Sequence, residues 1–378
     1  MKKLGILGGG QLGKMLCLAA ADWDIETFVL DKKNDFPAAK YCHHFIEGDF
    51  NNFDDVYSFG KKVDVLTIEI EHVNIDALLQ LEAEGLTVCP SPSALKIIKD
   101  KGLQKQFYEQ HLFPTTATTY YDNTDNLLKA IEQNELKFPF VQKLRSGGYD
   151  GNGVAIIKSK SDISKILNGA SIVEPLVDLQ KEIAVIAARN ERGEVACFSA
   201  VEMEFNPTAN LVEFLFSPAN INPLVAAEAE ILATKLIEAF DICGLLAVEF
   251  FLTTDNQLLI NEVAPRPHNS GHHTIDATLT SQFQQHIRAV LNFPLGSTKD
   301  ISPAVMINVL GEDGFVGDVL YQGMEKVLEI EGVNIHLYGK KQTKPFRKMG
   351  HITVVDDSLE NAVKKARKVQ QLLKVVSK

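Results

Sequence analysis

Glu249, Asn261 and Glu262 carry the side chains of this sequence best suited to hold a metal ion against an anion. Glu249 lies in the apolar run Val248-Glu249-Phe250-Phe251-Leu252. Glu262 ends a second such run, Leu258-Leu259-Ile260-Asn261-Glu262, after the polar turn Thr253-Thr254-Asp255-Asn256. Two strand-forming runs around a turn read as a hairpin, which places the two carboxylates close in space. A carboxylate among Val248, Phe250 and Phe251 is costly to desolvate without a cation, and magnesium bridging nucleotide phosphates is a natural one. The next run, Pro265-Arg266-Pro267-His268-Asn269-Ser270-Gly271-His272, fixes its backbone with two prolines and offers donors to an anion beside that metal. A hairpin whose Glu residues merely face water is the bland alternative, and so polar a run after two prolines counts against it.

Two glycine-rich turns could bring backbone N–H groups onto phosphates. Leu4-Gly5-Ile6-Leu7 reads as a buried strand and Gly8-Gly9-Gly10-Gln11-Leu12-Gly13 as a turn into a helix, with Asp31 closing the next apolar run. That is the spacing of a dinucleotide fingerprint, so a nicotinamide-dependent dehydrogenase is an open reading, although such glycines admit any phosphate or polar ligand to the helix amino terminus. The strand over residues 63–68 leads into Glu69 and Glu71, which would face the same crevice. Further on, a run carrying one lysine, Lys143, enters Gly147-Gly148-Tyr149-Asp150-Gly151-Asn152-Gly153-Val154, a hairpin tip able to cover phosphates. A protein kinase uses such parts in the reverse order and needs His-Arg-Asp and Asp-Phe-Gly motifs that do not follow. Glu174-Pro175-Leu176-Val177 reads as a linker exposing backbone groups to an adenine edge, and Glu182 as an acid for ribose hydroxyls.

The elements that must position these groups follow from periodicity. Strands alternate with helices up to Cys89, as in a doubly wound parallel sheet. Residues 93–110 read as one helix with Lys101 and Lys105 on a common face, where most lysines are solvated. Strands alternate over residues 193–216, residues 223–240 form an amphipathic helix, and residues 303–355 read as a small antiparallel sheet before a helix over 358–373. That last part holds the main basic cluster, Lys340, Lys341, Lys344, Arg347 and Lys348, in a chain of net charge −11. Such a balance argues against a general nucleic-acid or anionic-membrane surface and asks what the cluster meets. A chain of 378 residues, 45% of them apolar, is enough for two or three folded domains. The five cysteines are scattered and show no metal-type spacing, as in a reducing compartment. Glycines and Lys14 interrupt the apolar start, and no stretch reaches the about 18 apolar residues of a membrane span, so a cytoplasmic location is expected.

In order, Lys143, the Gly-Gly-Tyr-Asp-Gly-Asn-Gly loop, Glu174, Glu182, Glu249 and Asn261-Glu262 resemble the ATP-grasp superfamily. With Gly8-Gly9-Gly10-Gln11-Leu12-Gly13, Arg266-Pro267-His268-Asn269-Ser270-Gly271-His272 and Arg347-Lys348-Met349-Gly350-His351, essentially the whole chain is similar to the 5-(carboxyamino)imidazole ribonucleotide synthetase family of purine biosynthesis. The resemblance implies an α/β fold, α+β overall. Its parts would be a doubly wound parallel-sheet domain (residues 1–98), an ATP-grasp domain in two lobes (99–172 and 173–297) and a small β-rich domain (298–378). It implies ATP contacts at Lys101, Lys143, Gly148, Tyr149, Asp150, Gly151, Asn152, Gly153, Val154, Glu174, Pro175, Leu176, Val177, Glu182, Asn261 and Glu262, with magnesium on Glu249 and Glu262. The ribonucleotide would touch Gln11, Leu12, Glu69, Glu71, Tyr149, Asp150 and Asn269, its phosphate on Lys340, Arg347 and Lys348. Bicarbonate would sit near Arg266, His268 and Asn269, which with Lys340 form the implied catalytic set. The family usually has Gln at Val154, Arg at Lys101 and often His near Pro207, so this chain departs at three places.

The implied activity is that of a carbon–nitrogen ligase: ATP-dependent carboxylation of 5-aminoimidazole ribonucleotide by bicarbonate through carboxyphosphate, in a homodimer without nucleic-acid or membrane partners. A formate-dependent phosphoribosylglycinamide transformylase of the same superfamily is the alternative, with the dehydrogenase or a non-catalytic nucleotide sensor outside it. If Glu262 holds the metal, Glu262→Gln lowers turnover about 100-fold or more at saturating magnesium, since metal and transition-state charge stabilisation carry that much. Steady-state phosphate release measures it.

Overall fold

The computed structural model describes residues 2–148, 153–206 and 211–378. The predicted positions Tyr149, Asp150, Gly151, Asn152 and Pro207 lie outside them.

The amino-terminal strands Leu4–Leu7, Thr27–Asp31 and Val65–Ile68 are mostly apolar and buried on both faces, the pattern of a parallel sheet covered by helices. With His44–Glu47 and Thr87–Cys89 they form a five-stranded parallel sheet. His44–Glu47 is the strand that periodicity missed, because its edge position leaves it half exposed. Strand order reverses between Leu4–Leu7 and its neighbour Val65–Ile68. Their carboxyl ends deliver the Gly8-Gly9-Gly10 turn and Glu69 to one crevice, where such sheets bind ligands.

The expected helix over residues 93–110 is two helices, Pro92–Ile98 and Lys101–Gln110. Asp100 breaks it: its backbone is extended and its carboxylate caps the second helix, accepting from Gly102 N (2.7 Å) and Leu103 N (3.2 Å). Arg145 holds that carboxylate at 2.7 Å, and Lys101 N donates to Arg145 O, so the cap ties the helix to the strand carrying Lys143. That strand, Phe140–Leu144, belongs to a four-stranded antiparallel sheet with Thr119–Tyr121, Ser171–Pro175 and Val154–Ile157.

A nine-stranded sheet carries the hairpin. Leu258–Ala264, Gly244–Thr253, Leu179–Arg189, Val201–Phe205 and Val212–Ser217 run side by side, and Ala304–Leu310, Lys348–Val355 and Val333–Leu337 continue the row. Of the carboxyl-terminal strands expected to make a small sheet, these three thus extend the central one, while Gly317–Gln322, Gln342–Thr343 and Lys374–Ser377 form a three-stranded antiparallel sheet of their own. Phe214 and Ile307 stand opposite each other at the join. Helix Pro223–Ala239 packs Ala233, Leu236 and Ile237 against Leu246, Val248 and Phe250 of this sheet. Helix Gln282–Val290 starts with a Ser281/Gln284 capping box and packs Phe283, Ile287 and Val290 against Leu4, Ile6 and Leu16, fastening the first domain to the large lobe.

The turn after the hairpin is held from that same helix. Gln282 accepts from His268 N (2.9 Å) and donates to His268 O (2.8 Å). Gly271 leaves room for this, since a Cβ there would lie 2.3 Å from Ile186 Cδ1 and 2.6 Å from Gln282 Oε1. Gly271→Ala is therefore expected to destabilise the protein by about 1–3 kcal/mol through overpacking, read as a lower midpoint in urea denaturation.

Candidate active site

One cleft of about 520 Å³ collects side chains from every part of the fold. Gln11, Leu12, Glu69, Glu71, Lys101, Gly148, Glu249, Glu262, Arg266, His268, Asn269 and Lys348 of the predicted set line it. Its paired carboxylates come from the hairpin as expected, because Glu249 stands opposite Glu262 in the antiparallel register. Burial, with the adjacent Glu262 charge, pushes the Glu249 carboxyl up. Lys101 pulls Glu262 down against the opposing effect of burial. The Lys101 ammonium forms an ion pair with Glu262, and His268 Nε2 lies 3.7 Å from Glu249 Oε1. Two facing carboxylates suit magnesium, which binds one or two carboxylates together with substrate phosphate oxygens. Among the described residues no group of three or more His, Cys, Asp or Glu is placed to hold a metal by itself.

Behind this pair lies a buried ion cluster. Glu174 receives Lys143 Nζ at 2.7 Å and Lys105 Nζ at 2.6 Å. Lys143 also donates to Asn261 Oδ1 (2.8 Å), and Lys105 to Thr116 Oγ1 (2.9 Å). Burial alone would raise the Glu174 carboxyl, but the two lysines hold it at about 2; burial lowers Lys105 to about 8. Lys105 was expected among solvated lysines and is instead 2% exposed. Its spacing from Lys101 sets only the helix face they share; the burial depends on Glu174, a partner far along the chain. Glu182, on the strand beside Glu249, is raised to about 7 by burial, an effect that Lys143 opposes and Glu262 reinforces.

The remaining predicted nucleotide positions lie around the small lobe. Val154 stands opposite Lys143 in the register, and Gly153 O accepts from Leu144 N, closing the hairpin base. Pro175 ends the strand Ser171–Pro175; it and Leu176 are exposed and Val177 half-buried, on the connection to Leu179–Arg189.

On the opposite wall, Arg266 Nε pairs with Glu71 Oε1 at 2.8 Å. His268 Nδ1 lies 2.9 Å from Ser270 Oγ, and the Asn269 side-chain amide bonds that of Asn308. Lys340 Nζ donates to Lys348 O (2.7 Å) and Arg347 Nη1 to Gln342 O (2.7 Å), so of this basic trio it is Lys348 that lines the cleft. His272, also on the wall, packs tilted against His351 (4.6 Å between centroids), which stacks on His336 (4.5 Å), and His336 Nε2 meets Asp276 Oδ2 at 2.9 Å. Burial drives His272 and His351 far below the usual imidazole range, so both are neutral at pH 7. Sequence gave no sign of Asn308, Gln282 or the Glu71–Arg266 pair, which are long-range partners.

The first glycine turn behaves unlike a dinucleotide site. Gly10 N and Gly13 N both donate to the Glu69 carboxylate, and Gly9 N donates to Asp31 Oδ2 (2.7 Å). A Cβ on Gly10 would lie 2.5 Å from Glu69 Oε1, so the glycines admit the protein's own carboxylate. Asp31, which a dehydrogenase would offer to ribose, is buried and engaged. The dehydrogenase reading is therefore discarded.

Three family models match the chain: a ribonucleotide synthetase preATP-grasp domain over residues 1–99, an ATP-grasp domain over 106–283, and a phosphoribosylaminoimidazole carboxylase C-terminal domain over 304–365. The structure is similar to that of N5-carboxyaminoimidazole ribonucleotide synthetase from Thermotoga maritima, at 42% identity, TM-score 0.92 and full coverage of both chains. It also resembles the Aspergillus clavatus N5-carboxyaminoimidazole synthase solved with ADP and 5-aminoimidazole ribonucleotide (32% identity, 98% of each chain, TM-score 0.89). Chloroplastic phosphoribosylaminoimidazole carboxylase of Vigna aconitifolia is 38% identical over 95% of this chain, which spans 65% of that relative's length.

The raised Glu182 carboxyl gives a test of the cleft's electrostatics. A group whose folded pKa lies above its unfolded value contributes stability below the unfolded pKa and loses it as pH rises through the folded one. Between about pH 4.5 and 7 this carboxyl should therefore lower the unfolding free energy by roughly 3 kcal/mol. Urea melts across that range should show the parent losing about that much more stability than Glu182→Gln.

Proposed function

The chain belongs to the N5-carboxyaminoimidazole ribonucleotide synthetase family of ATP-grasp ligases, and we propose that it uses ATP and bicarbonate to carboxylate 5-aminoimidazole ribonucleotide. The observation that carries this reading is the cleft that joins the amino-terminal crevice, the paired carboxylates and the Arg266–Asn269 turn in one space. A bicarbonate oxygen attacks the γ-phosphorus of ATP, the bond to the ADP oxygen breaks, and carboxyphosphate forms. The exocyclic amine then attacks the carboxyphosphate carbon, phosphate leaves, and the nitrogen gives up its proton.

The chain's own groups have assignable parts in this. Lys101 lines the cleft, and Lys143 stands behind it in the buried cluster, so that both would bring positive charge near a bound triphosphate. Arg266, braced by Glu71, presents a planar donor fork suited to bicarbonate, and His268 and Asn269 stand beside it on the same turn. Lys348 offers the ribonucleotide phosphate a cation at the far wall, with Lys340 and Arg347 on the same basic turn. Magnesium held by Glu249 and Glu262 with phosphate oxygens would neutralise triphosphate charge. A two-copy assembly and a cytoplasmic location complete the proposal; unpaired thiols at all five cysteines suit a reducing compartment, and no helix among the described residues is long and apolar enough to cross a membrane.

Phosphate release measured with ATP and magnesium should rise only when bicarbonate and 5-aminoimidazole ribonucleotide are both present. Stimulation by formate with phosphoribosylglycinamide instead would assign the chain to the transformylase chemistry.

A further inference from the structure

Asn308 sits on strand Ala304–Leu310 and is 5% exposed, yet its side-chain amide is fully engaged on three sides. Its Nδ2 donates to Asn269 Oδ1 (2.9 Å) and to Val212 O (2.7 Å), and its Oδ1 accepts from Asn269 Nδ2 (2.9 Å). The two amides form a closed pair in which each donates once and accepts once. An isolated pair of this kind could reverse both amides and keep both bonds. The third bond removes that freedom: Val212 O accepts only, so the Asn308 atom facing it must be the nitrogen. Asn308 is thereby fixed, and through the pair Asn269 is fixed as well. One N–H and one oxygen lone pair of Asn269 remain for the cleft that it lines.

We propose that Asn308 is a positioning residue that sets the orientation of the Asn269 amide and thereby the donor and acceptor that Asn269 offers to the ribonucleotide. The proposal rests on the function proposed above and on Asn269 as a substrate contact. It has a physical motive. An amide that can turn over presents its donor where the substrate needs an acceptor half of the time, and a wrongly turned amide in a dry site leaves polar groups of both partners unpaired. Val212 and Asn308 come from adjoining parts of the nine-stranded sheet, whose strands Val212–Ser217 and Ala304–Leu310 are paired. The register of that join is thus what sets one hydrogen-bonding group of the cleft.

The test is a double-mutant cycle with Asn269→Ala and Asn308→Ala, measuring KM for 5-aminoimidazole ribonucleotide and for ATP separately. Asn308→Ala should raise the ribonucleotide KM about tenfold while leaving the ATP KM within about twofold, and should add nothing further in the Asn269→Ala background. A loss of folded protein lowers active concentration without splitting the two KM values, and Asn308→Ser, of smaller perturbation, gives the same comparison if the alanine variant does not fold. Equal effects of Asn308→Ala with and without Asn269 would overturn the proposal, as would an unchanged ribonucleotide KM in either single variant of an otherwise active enzyme. Absence of ribonucleotide-dependent phosphate release in the parent protein would instead overturn the functional reading beneath it.

Discussion

Two carboxylates directly opposite on neighbouring strands repel, so where Glu249 faces Glu262 the Glu249 carboxyl is pushed up while Lys101 holds Glu262 ionised. The surrounding structure can be understood as the set of positive groups that this repulsion calls for. Lys101 comes from the start of a helix in the small-lobe region, and His268, a cation only when protonated, from the turn that follows the hairpin itself. Deeper in, the relation is inverted: one carboxylate, Glu174, lies between two lysines, and Lys143 is shared with Asn261 next to Glu262. Removing any one charge from such a buried arrangement leaves another uncompensated, which is more costly than the net value of the pair. Parts of the chain separated by more than a hundred residues are therefore held to one electrostatic pattern.

Local signals were legible where they depended on neighbours in sequence. The hairpin around residues 253–256, the glycine turn at Gly8-Gly9-Gly10 and the lone lysine of Phe140–Leu144 all rest on short-range periodicity and turn chemistry. The break at Asp100 was also local, since an Asp before a helical run is a capping signal, but the helical period continues across it and conceals the change of direction. What periodicity could not reveal was pairing at a distance. The burial of Lys105, the Glu71 brace on Arg266 and the Asn308 amide each depend on a partner far along the chain, and each looks ordinary in its own window. Resemblance to a family filled some of this gap by naming residues such as Lys348, whose basic surroundings alone gave only a cluster.

The carboxyl-terminal strands illustrate the same limit at the level of architecture. Their alternation correctly marked an antiparallel sheet, yet nothing in alternation tells whether a strand's edge partner is nearby in sequence or comes from another domain. Ala304–Leu310 pairs with Val212–Ser217 on one side and with Lys348–Val355 on the other. The wall bearing Lys348 and the floor bearing Glu249 thus share one hydrogen-bonded framework. The four-stranded sheet bearing Lys143 is a separate layer, joined to this framework through Pro175, Leu176 and Val177.

Glu69 gives the amino-terminal crevice an unusual property. Its carboxylate occupies N–H groups of the kind that in related folds receive a pyrophosphate, and it is attached to the next strand of the same sheet. A tethered ligand competes at an effective concentration of millimolar or more, and it does not diffuse away. Free nucleotides and dinucleotides in the surrounding solution meet an anion site that is already saturated from within.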